Sequence, residues 1–408
     1  MRSPVNPVNW LKSEWQPEWE AHLKAYYGES QEPIDLEGDR YLRRSVLPHI
    51  SNLSEHFNRL ESDGKDQGIS KYWKKSSNNS NQLAAYASFF SPQNAMRVAA
   101  VLHEMRTHGL ADSLGENINI LDMGAGTGAA TLGAHLAFLG SGVNLCSTLL
   151  ESNQQALKLG QSFLNRVAPN LEIKTKHQSL ENVSALTQLG FERRDAMDLW
   201  ISSFFINELH WSAADCADIL LRHWKRTLKP NGIAVFVEPA LQVQSRRLLE
   251  LREALIQTGE VQILRPCLDN RPCGALVAPR DWCHERISWW RPKVVMKLDA
   301  LTKLDHKELA FTYLVLKLKP KGKVLSTLDR GEYSPLGRMI SEVKDQKNAL
   351  SGYACFSDAK KYVRFSNPSD DTLNRGHIVE VTEGQGSPEA FHAKKWREVY
   401  STESFEES

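Results

Sequence analysis

The 408-residue chain predicts an α/β protein: a Rossmann-like, mainly parallel sheet with a helical N-terminal region, a cysteine-rich cap and a small C-terminal β-rich module. Three observations carry that prediction. Short apolar runs alternate with helical patterns, from NINILDMGAG through NLCSTLLES and DAMDLWISSFF to GIAVFVEPA, as βαβ units do. A glycine turn, Gly124-Ala125-Gly126-Thr127-Gly128, joins the first of those runs to the helical ATLGAHLAFLG. Beyond them Cys267, Cys273 and Cys283 follow one another as C-x5-C-x9-C, with Cys355 further along.

Taken in order, residues 1–115 read as mostly helical. Apolar positions recur at helical spacing in YLRRSVLPHISNLSEHF and SPQNAMRVAAVLHEM, and Ser91-Pro92 has the form of a cap followed by a first-turn proline. The polar stretch Ser76 to Gln82 between them predicts a loop. Residues 116–320 hold the sheet, with VQIL at 261–264 and AFTYLVLKL at 310–318 as two further strands and a cysteine-rich insertion at about 265–306 between them. Residues 321–384 break into RMISEVK, GYACFS, KYVRFS and HIVEVTE, separated by Gly, Asn, Asp and Pro, which predicts a small β-rich module. Residues 385–408 predict a tail with one short helix around Glu389 to Tyr400 and an acidic end.

With 41% hydrophobic residues the chain can bury a substantial core and is too long for one small domain. Lys+Arg 50 against Asp+Glu 49 names no partner, so only the distribution of charge informs. The start, MRSPVNPVNWLKSEWQPEWE, lacks the apolar core of a signal peptide, and its early acidic residues argue against a mitochondrial presequence. No run approaches a membrane span, so no membrane partner is expected. Six cysteines in such a chain read as ligands or buried thiols, with Cys146 and Cys216 in the second group.

A glycine turn after a strand lets the backbone approach a ligand, but alone it fits a dinucleotide fold as well as any other. Its context is more specific. Asp122 precedes the first glycine by two residues, Glu151 ends the next strand, and LKPNGIAVFVEP supplies a turn and strand further on. Together these resemble the class I S-adenosylmethionine-dependent methyltransferases. The resemblance implies that Gly124, Gly126 and Gly128 shape the pocket for the methionine part and that Glu151 accepts from the ribose hydroxyls, with Asp122 either at the ligand or bracing the loop. Substrate would meet the donor at Ser202–Leu209, where Asn207 and Glu208 are the candidate catalytic residues. That segment lacks the Asn/Asp-Pro-Pro-aromatic motif of amino-methylating enzymes.

On chemistry alone, four thiolates suit zinc and an iron–sulfur cluster equally. The residues around them, RPCLDNRPC, DWCHE and ELAFTYL, then Gly337-Arg338-Met339 and Tyr353-Ala354-Cys355, resemble the mitochondrial small-ribosomal-subunit methyltransferase-like assembly factors and their bacterial relatives, a group that includes animal methyltransferase-like protein seventeen. The likeness reaches back through SSFFINEL and VEPA to LDMGAGTG. It implies a [4Fe–4S] cluster on Cys267, Cys273, Cys283 and Cys355, with Zn2+ as the alternative metal, and a role in assembling the small ribosomal subunit on its rRNA. This chain departs from the family at Cys267-Leu268-Asp269-Asn270, where relatives carry Cys-Pro-His-Asp. His284, directly after a ligand, is expected as a hydrogen-bond partner.

From Arg286 to Arg330 there are eleven Lys or Arg against four Asp or Glu, with Trp289 and Trp290 interleaved; the residues alone read as a solvated lysine face over core tryptophans or as a surface for single-stranded RNA, and the family resemblance favours rRNA. The expectation is therefore an RNA-binding, S-adenosylmethionine-binding assembly factor, with methyl transfer to rRNA left open. The alternative is a small-molecule methyltransferase whose cap holds structural zinc or a redox-sensing cluster. A monomer is expected, in the cytoplasm of a bacterium or the mitochondrial matrix of a eukaryote. The cysteines would clasp the β module to the cap.

Overall fold

Ile118, Ile120, Leu121 and Met123 are all buried in strand β1 (Asn117–Met123), as a strand covered on both faces requires. In the computed structural model, the described residues are 42–59, 80–178, 196–209, 211–289, 291–319, 336–346, 349–356, 359–366, 373–387 and 390–400. Helices α1 (Leu47–Arg59), α2 (Ser80–Ala85) and α3 (Ser91–Thr107) precede β1. The sheet continues with β2 (Asn144–Glu151), β3 (Glu172–His177), β4 (Met197–Ser203), β5 (Leu228–Pro239), β6 (Val261–Arg265), β7 (Glu285–Ser288) and β8 (Glu308–Leu318). Between them run α4 (Ala129–Phe138), α5 (Gln154–Val167), α6 (Ala213–Thr227), α7 (Gln242–Gln257) and α8 (Lys293–Thr302).

The spatial order is 3-2-1-4-5-8-6, with β7 pairing β8. Strands β1 to β5 are mutually parallel, and β8 runs antiparallel to both β5 and β6. This is the class I S-adenosylmethionine-dependent methyltransferase fold, with β7 added at one end. Two cores fill its faces. Ile118 and Ile120 join α3, α4, α5 and α8 on one side, while Leu121 and Met123 join α6 and α7 on the other. Among the described residues no helix is long and apolar enough to cross a membrane.

A second unit follows: β9 (Leu336–Met339), β10 (Lys344–Gln346), β11 (Ala349–Phe356), β12 (Lys360–Ser366), β13 (Ile378–Gly386) and β14 (Ala390–Tyr400). Because β9 pairs with both β11 and β13, the ladder β9-β11-β12-β14-β13 closes on itself into a barrel. Met339, Ala354, Phe356, Val363, Phe365, Val379 and Ala393 fill it. The short helix expected around Glu389 to Tyr400 is instead β14, so the barrel extends past the boundary at 384. Its pairing with β13 shifts register near Val381, Glu383 and Gly384, which breaks the alternation that marks a strand in a sequence.

What fixes the barrel to the sheet is a buried ion network. Arg338 of β9 pairs with Glu104 of α3 and, at 3.1 Å, with Glu285 of β7. Glu104 also accepts from Arg265 Nε at 3.1 Å and from the Tyr313 hydroxyl at 2.6 Å. Burial alone would raise the Glu104 carboxyl, but Arg338 and Arg265 hold it at about 2. Lys360 meets Asp281 and Arg375 donates to the His284 carbonyl at 2.9 Å, so three cationic side chains, Arg338, Lys360 and Arg375, reach across the join. These charges join the barrel to the sheet and cap alongside the clasp expected of the cysteines.

Candidate methyl-donor site and cysteine corner

The glycine turn leaves β1 in backbone geometry that side chains disfavour, with φ of 68° at Gly124, 52° at Gly126 and 80° at Gly128. Gly124 and Ala125 N–H both donate to the Leu150 carbonyl at 3.0 Å, which pins the turn to the end of β2. A Cβ at Gly124 would overlap the Phe205 ring, so the turn after β4 closes directly over the first glycine. Phe204 reaches that turn with φ of 58°, and Arg97 lies 5.2 Å from its ring centre.

Glu151 stands where β2 ends. Its Oε2 accepts from Gly126 N–H at 2.9 Å and its Oε1 from Asn153 N–H at 2.8 Å. Ser152 Oγ also donates to Oε1 at 3.0 Å, so the second lone pair left for a ligand hydroxyl is on Oε2. Asp122 is 1% exposed, and one of its oxygens takes both Thr131 N–H at 3.0 Å and Thr131 Oγ1 at 2.8 Å. Burial raises its pKa to about 6 despite those bonds. Of its two expected roles, bracing α4 against β1 is the one these contacts show.

Asn207 and Glu208 fall in a short 3-10 turn, Ile206–Glu208. Asn207 is buried with Oδ1 unpartnered, while its carbonyl accepts from Arg247 at 3.2 Å. Two participants were not singled out from the sequence. Glu238, in the VEPA run at the end of β5, accepts from Ile206 N–H at 2.9 Å and leaves Oε2 unpartnered. Burial pushes its carboxyl up to about 8, against the pull of the backbone N–H groups of residues 205–207. A glutamate closing an apolar parallel strand was the available signal. Tyr86 lies beside Gly126, its pKa raised by burial and then by Glu208. Ser91 of α3 meets Thr127 of the turn, Oγ to Oγ1, at 2.5 Å, so the helical region forms one wall of the site.

The insertion between β6 and β8 emerges at the carboxyl ends of the parallel strands. Helix α7 supports it: Arg252 donates to the carbonyls of Asp269 at 3.0 Å and Arg271 at 2.9 Å, and Arg246 to those of Ala278 at 2.9 Å and Asp281 at 2.7 Å. Asn270, where the family pattern differs, ties back to β6 through Ile263 N–H at 2.8 Å and the Val261 carbonyl at 2.9 Å. Trp282 donates to the Ala240 carbonyl at 3.0 Å, bringing the cap to the end of β5.

The fold gathers all four cysteines into one corner, although Cys355 comes from the barrel. Burial, then Cys267, Cys355 and Cys273, push the Cys283 thiol up; burial, then Cys267 and Cys273, push Cys355 to about 12. Left to themselves such groups are protonated thiols, and only a bound cation or cluster would make thiolates of them. The donor set therefore suits a soft metal centre. Among the described residues, however, no group of three or more His, Cys, Asp or Glu converges as metal ligands.

The basic stretch corrects an expectation. Trp289 is buried, its Nε1 bonded to the His306 carbonyl at 2.6 Å, and is no stacking platform. Arg286 pairs with Glu308 at 3.5 Å and Arg291 with Asp299 at 2.9 Å, so both arginines are paired locally. Trp290 and residues 320–335 lie outside the described residues.

Comparison with curated proteins returns no match. Among solved structures, a candidate class I S-adenosylmethionine-dependent methyltransferase from Listeria monocytogenes is 12% identical, covering 77% of this chain and 92% of that one, at TM-score 0.38. A candidate RNA methyltransferase from Pyrococcus horikoshii is 14% identical, covering 55% and 83%, at TM-score 0.32. Likenesses this distant bear no weight on activity, and the fold rests on the strand order above. The family model described as mitochondrial small ribosomal subunit Rsm22 matches residues 80–358, more than half of the sequence, and the chain belongs to that family.

Proposed function

We propose that the protein is an assembly factor of the small ribosomal subunit that binds rRNA and holds S-adenosylmethionine at the glycine turn. The observation that carries the donor site is Glu151, fixed by Gly126 N–H at 2.9 Å beside a turn whose glycines leave room for a ligand. The ribosomal partner is supported by family membership, which also favours the mitochondrial matrix if the source is a eukaryote. Titration calorimetry with S-adenosylmethionine tests the site: wild type should bind, and Glu151→Ala should lose about ten-fold in affinity, a hydroxyl bond to a charged acceptor being removed. Unchanged binding refutes it.

Methyl transfer to rRNA is the second reading, favoured by the unpartnered, buried Asn207 Oδ1 and Glu238 Oε2 beside the turn over Gly124. Transfer to small-subunit rRNA from cells lacking the protein, abolished in Asn207→Ala, would establish it; no transfer by wild type would leave a scaffold. The residues that would hold a [4Fe–4S] cluster are Cys267, Cys273, Cys283 and Cys355, and the cluster would cross-link cap to barrel. The soft donor set in one corner supports it. Iron and acid-labile sulfide in anaerobically purified protein are expected, whereas stoichiometric zinc without sulfide would replace the cluster by a structural metal.

A further inference from the structure

Strand order makes the C-terminal barrel more than an appendage. Numbered within the unit, with β9, β11, β12, β13 and β14 as first to fifth, the closed ladder reads 1-2-3-5-4-1. The third and fifth strands are parallel and every other neighbour is antiparallel. That is the arrangement of the OB fold, a Greek-key barrel whose second and third strands present a face to oligomeric ligands.

Here that face belongs to β11 and β12, and its chemistry is one-sided. Tyr353 and Tyr362 stand directly opposite one another, ring centres 5.2 Å apart, and Tyr353 is 44% exposed. The Lys360 ammonium lies 5.1 Å from the Tyr353 ring centre. Arg364 is exposed two residues beyond Tyr362, and in register with it on β14 is His392, followed on the same face by exposed Lys394. Neither β11 nor β12 contains an acidic residue. On the opposite wall the charges cancel, Lys395 with Glu383 at 2.7 Å and Arg397 with Glu380 at 2.5 Å. Two aromatic rings with the exposed cations Arg364 and Lys394 beside them suit stacked bases and their phosphates, and a neutral oligosaccharide would have no use for the cations.

We propose that the β11–β12 face of the barrel, through Tyr353, Tyr362 and Arg364, binds a single-stranded RNA segment. The face ends at Cys355 and Lys360, and Lys360 meets Asp281 of the cap, so the bound strand would lead toward the cap and the methyl-donor edge of the sheet. This inference rests on the rRNA reading above and supplies the stacking surface that Trp289 does not.

The test is fluorescence polarisation of the full chain with a labelled single strand of about 12 nucleotides, within the span of one such barrel, and with a hairpin duplex of equal length. Wild type should prefer the single strand, with affinity falling steeply between about 50 and 200 mM salt. Tyr353→Ala with Tyr362→Ala should weaken single-strand binding about ten-fold for each ring removed, while the paired Phe substitutions should restore it. Arg364→Glu with Lys394→Glu alters only exposed side chains, so it should weaken binding in a folded protein even where loss of the tyrosines harms the barrel. Unchanged affinity in both variants, indifference to salt, or equal loss for the duplex would overturn the proposal. If those results came from a protein that still co-sediments with immature small subunits, the ribosomal reading would survive; wild type binding neither RNA nor subunits at low salt would end both.

Discussion

Replacing Glu104 by Gln removes the charge at the centre of the network that joins three parts of the chain. Its carboxylate answers Arg265 at 3.1 Å, Arg338 Nη2 at 3.2 Å and Tyr313 at 2.6 Å, in a site from which water is excluded. Holding the group at about 2 rather than 4.5 corresponds to about 3 kcal/mol carried by its charge. Leaving two buried guanidiniums without their carboxylate suggests about 3–5 kcal/mol by an independent route. Because the folded pKa is depressed, this stability is fully present above pH ~4.5 and is lost as pH falls toward ~2. Urea unfolding at neutral pH should therefore show Glu104→Gln about 3–5 kcal/mol less stable. At pH ~3 the gap should narrow, since the wild-type carboxylate is losing its advantage. A variant within about 1 kcal/mol of wild type at neutral pH, or a gap that does not close in acid, would refute the reasoning.

Three further outcomes follow from the same geometry. Arg338→Met should loosen the barrel, read as its faster release from the rest of the chain in limited proteolysis, whereas Cys355→Ser should leave it docked through Arg338; equal protection of both variants would contradict this. Glu238 has a raised pKa, so its neutral form stabilises the fold fully below pH ~4.5 and that contribution is lost as pH rises through about 8. Melting temperature should then fall between pH ~6 and ~9 more in wild type than in Glu238→Gln, and parallel profiles would dismiss the assignment. Gly124→Ala places a methyl in the Phe205 ring at positive φ, so it should cost about 1–3 kcal/mol and weaken S-adenosylmethionine; wild-type affinity and melting would count against the closed turn.

The sheet was legible because β1, β4 and β5 are buried on both faces and read as apolar runs, and because the glycine turn follows one of them. The position of Glu151 at the end of β2, beside the glycine turn, was legible from the end of the second run. Glu238 was not, because its importance lies in a bond to Ile206 N–H, 32 residues away, that no local spacing announces. Barrel closure was hidden for a similar reason: β9 has four residues, and its two partnerships depend on chain that arrives later. Trp289 misled because an aromatic flanked by cations looks alike in a core and on a surface until burial is known.

Arg338 lies 234 residues after Glu104 in the chain. At about 5–20 residues per second of synthesis, roughly 12 to 47 seconds separate the emergence of the carboxylate from that of its principal cation. For the first 161 residues of that interval α3 carries a charge destined for the interior with neither cation beside it, and from then on it has Arg265 alone until Arg338 arrives. Full pairing of the buried carboxylate thus waits on the barrel, and a nascent or truncated chain lacking it should be a client of chaperones and proteases.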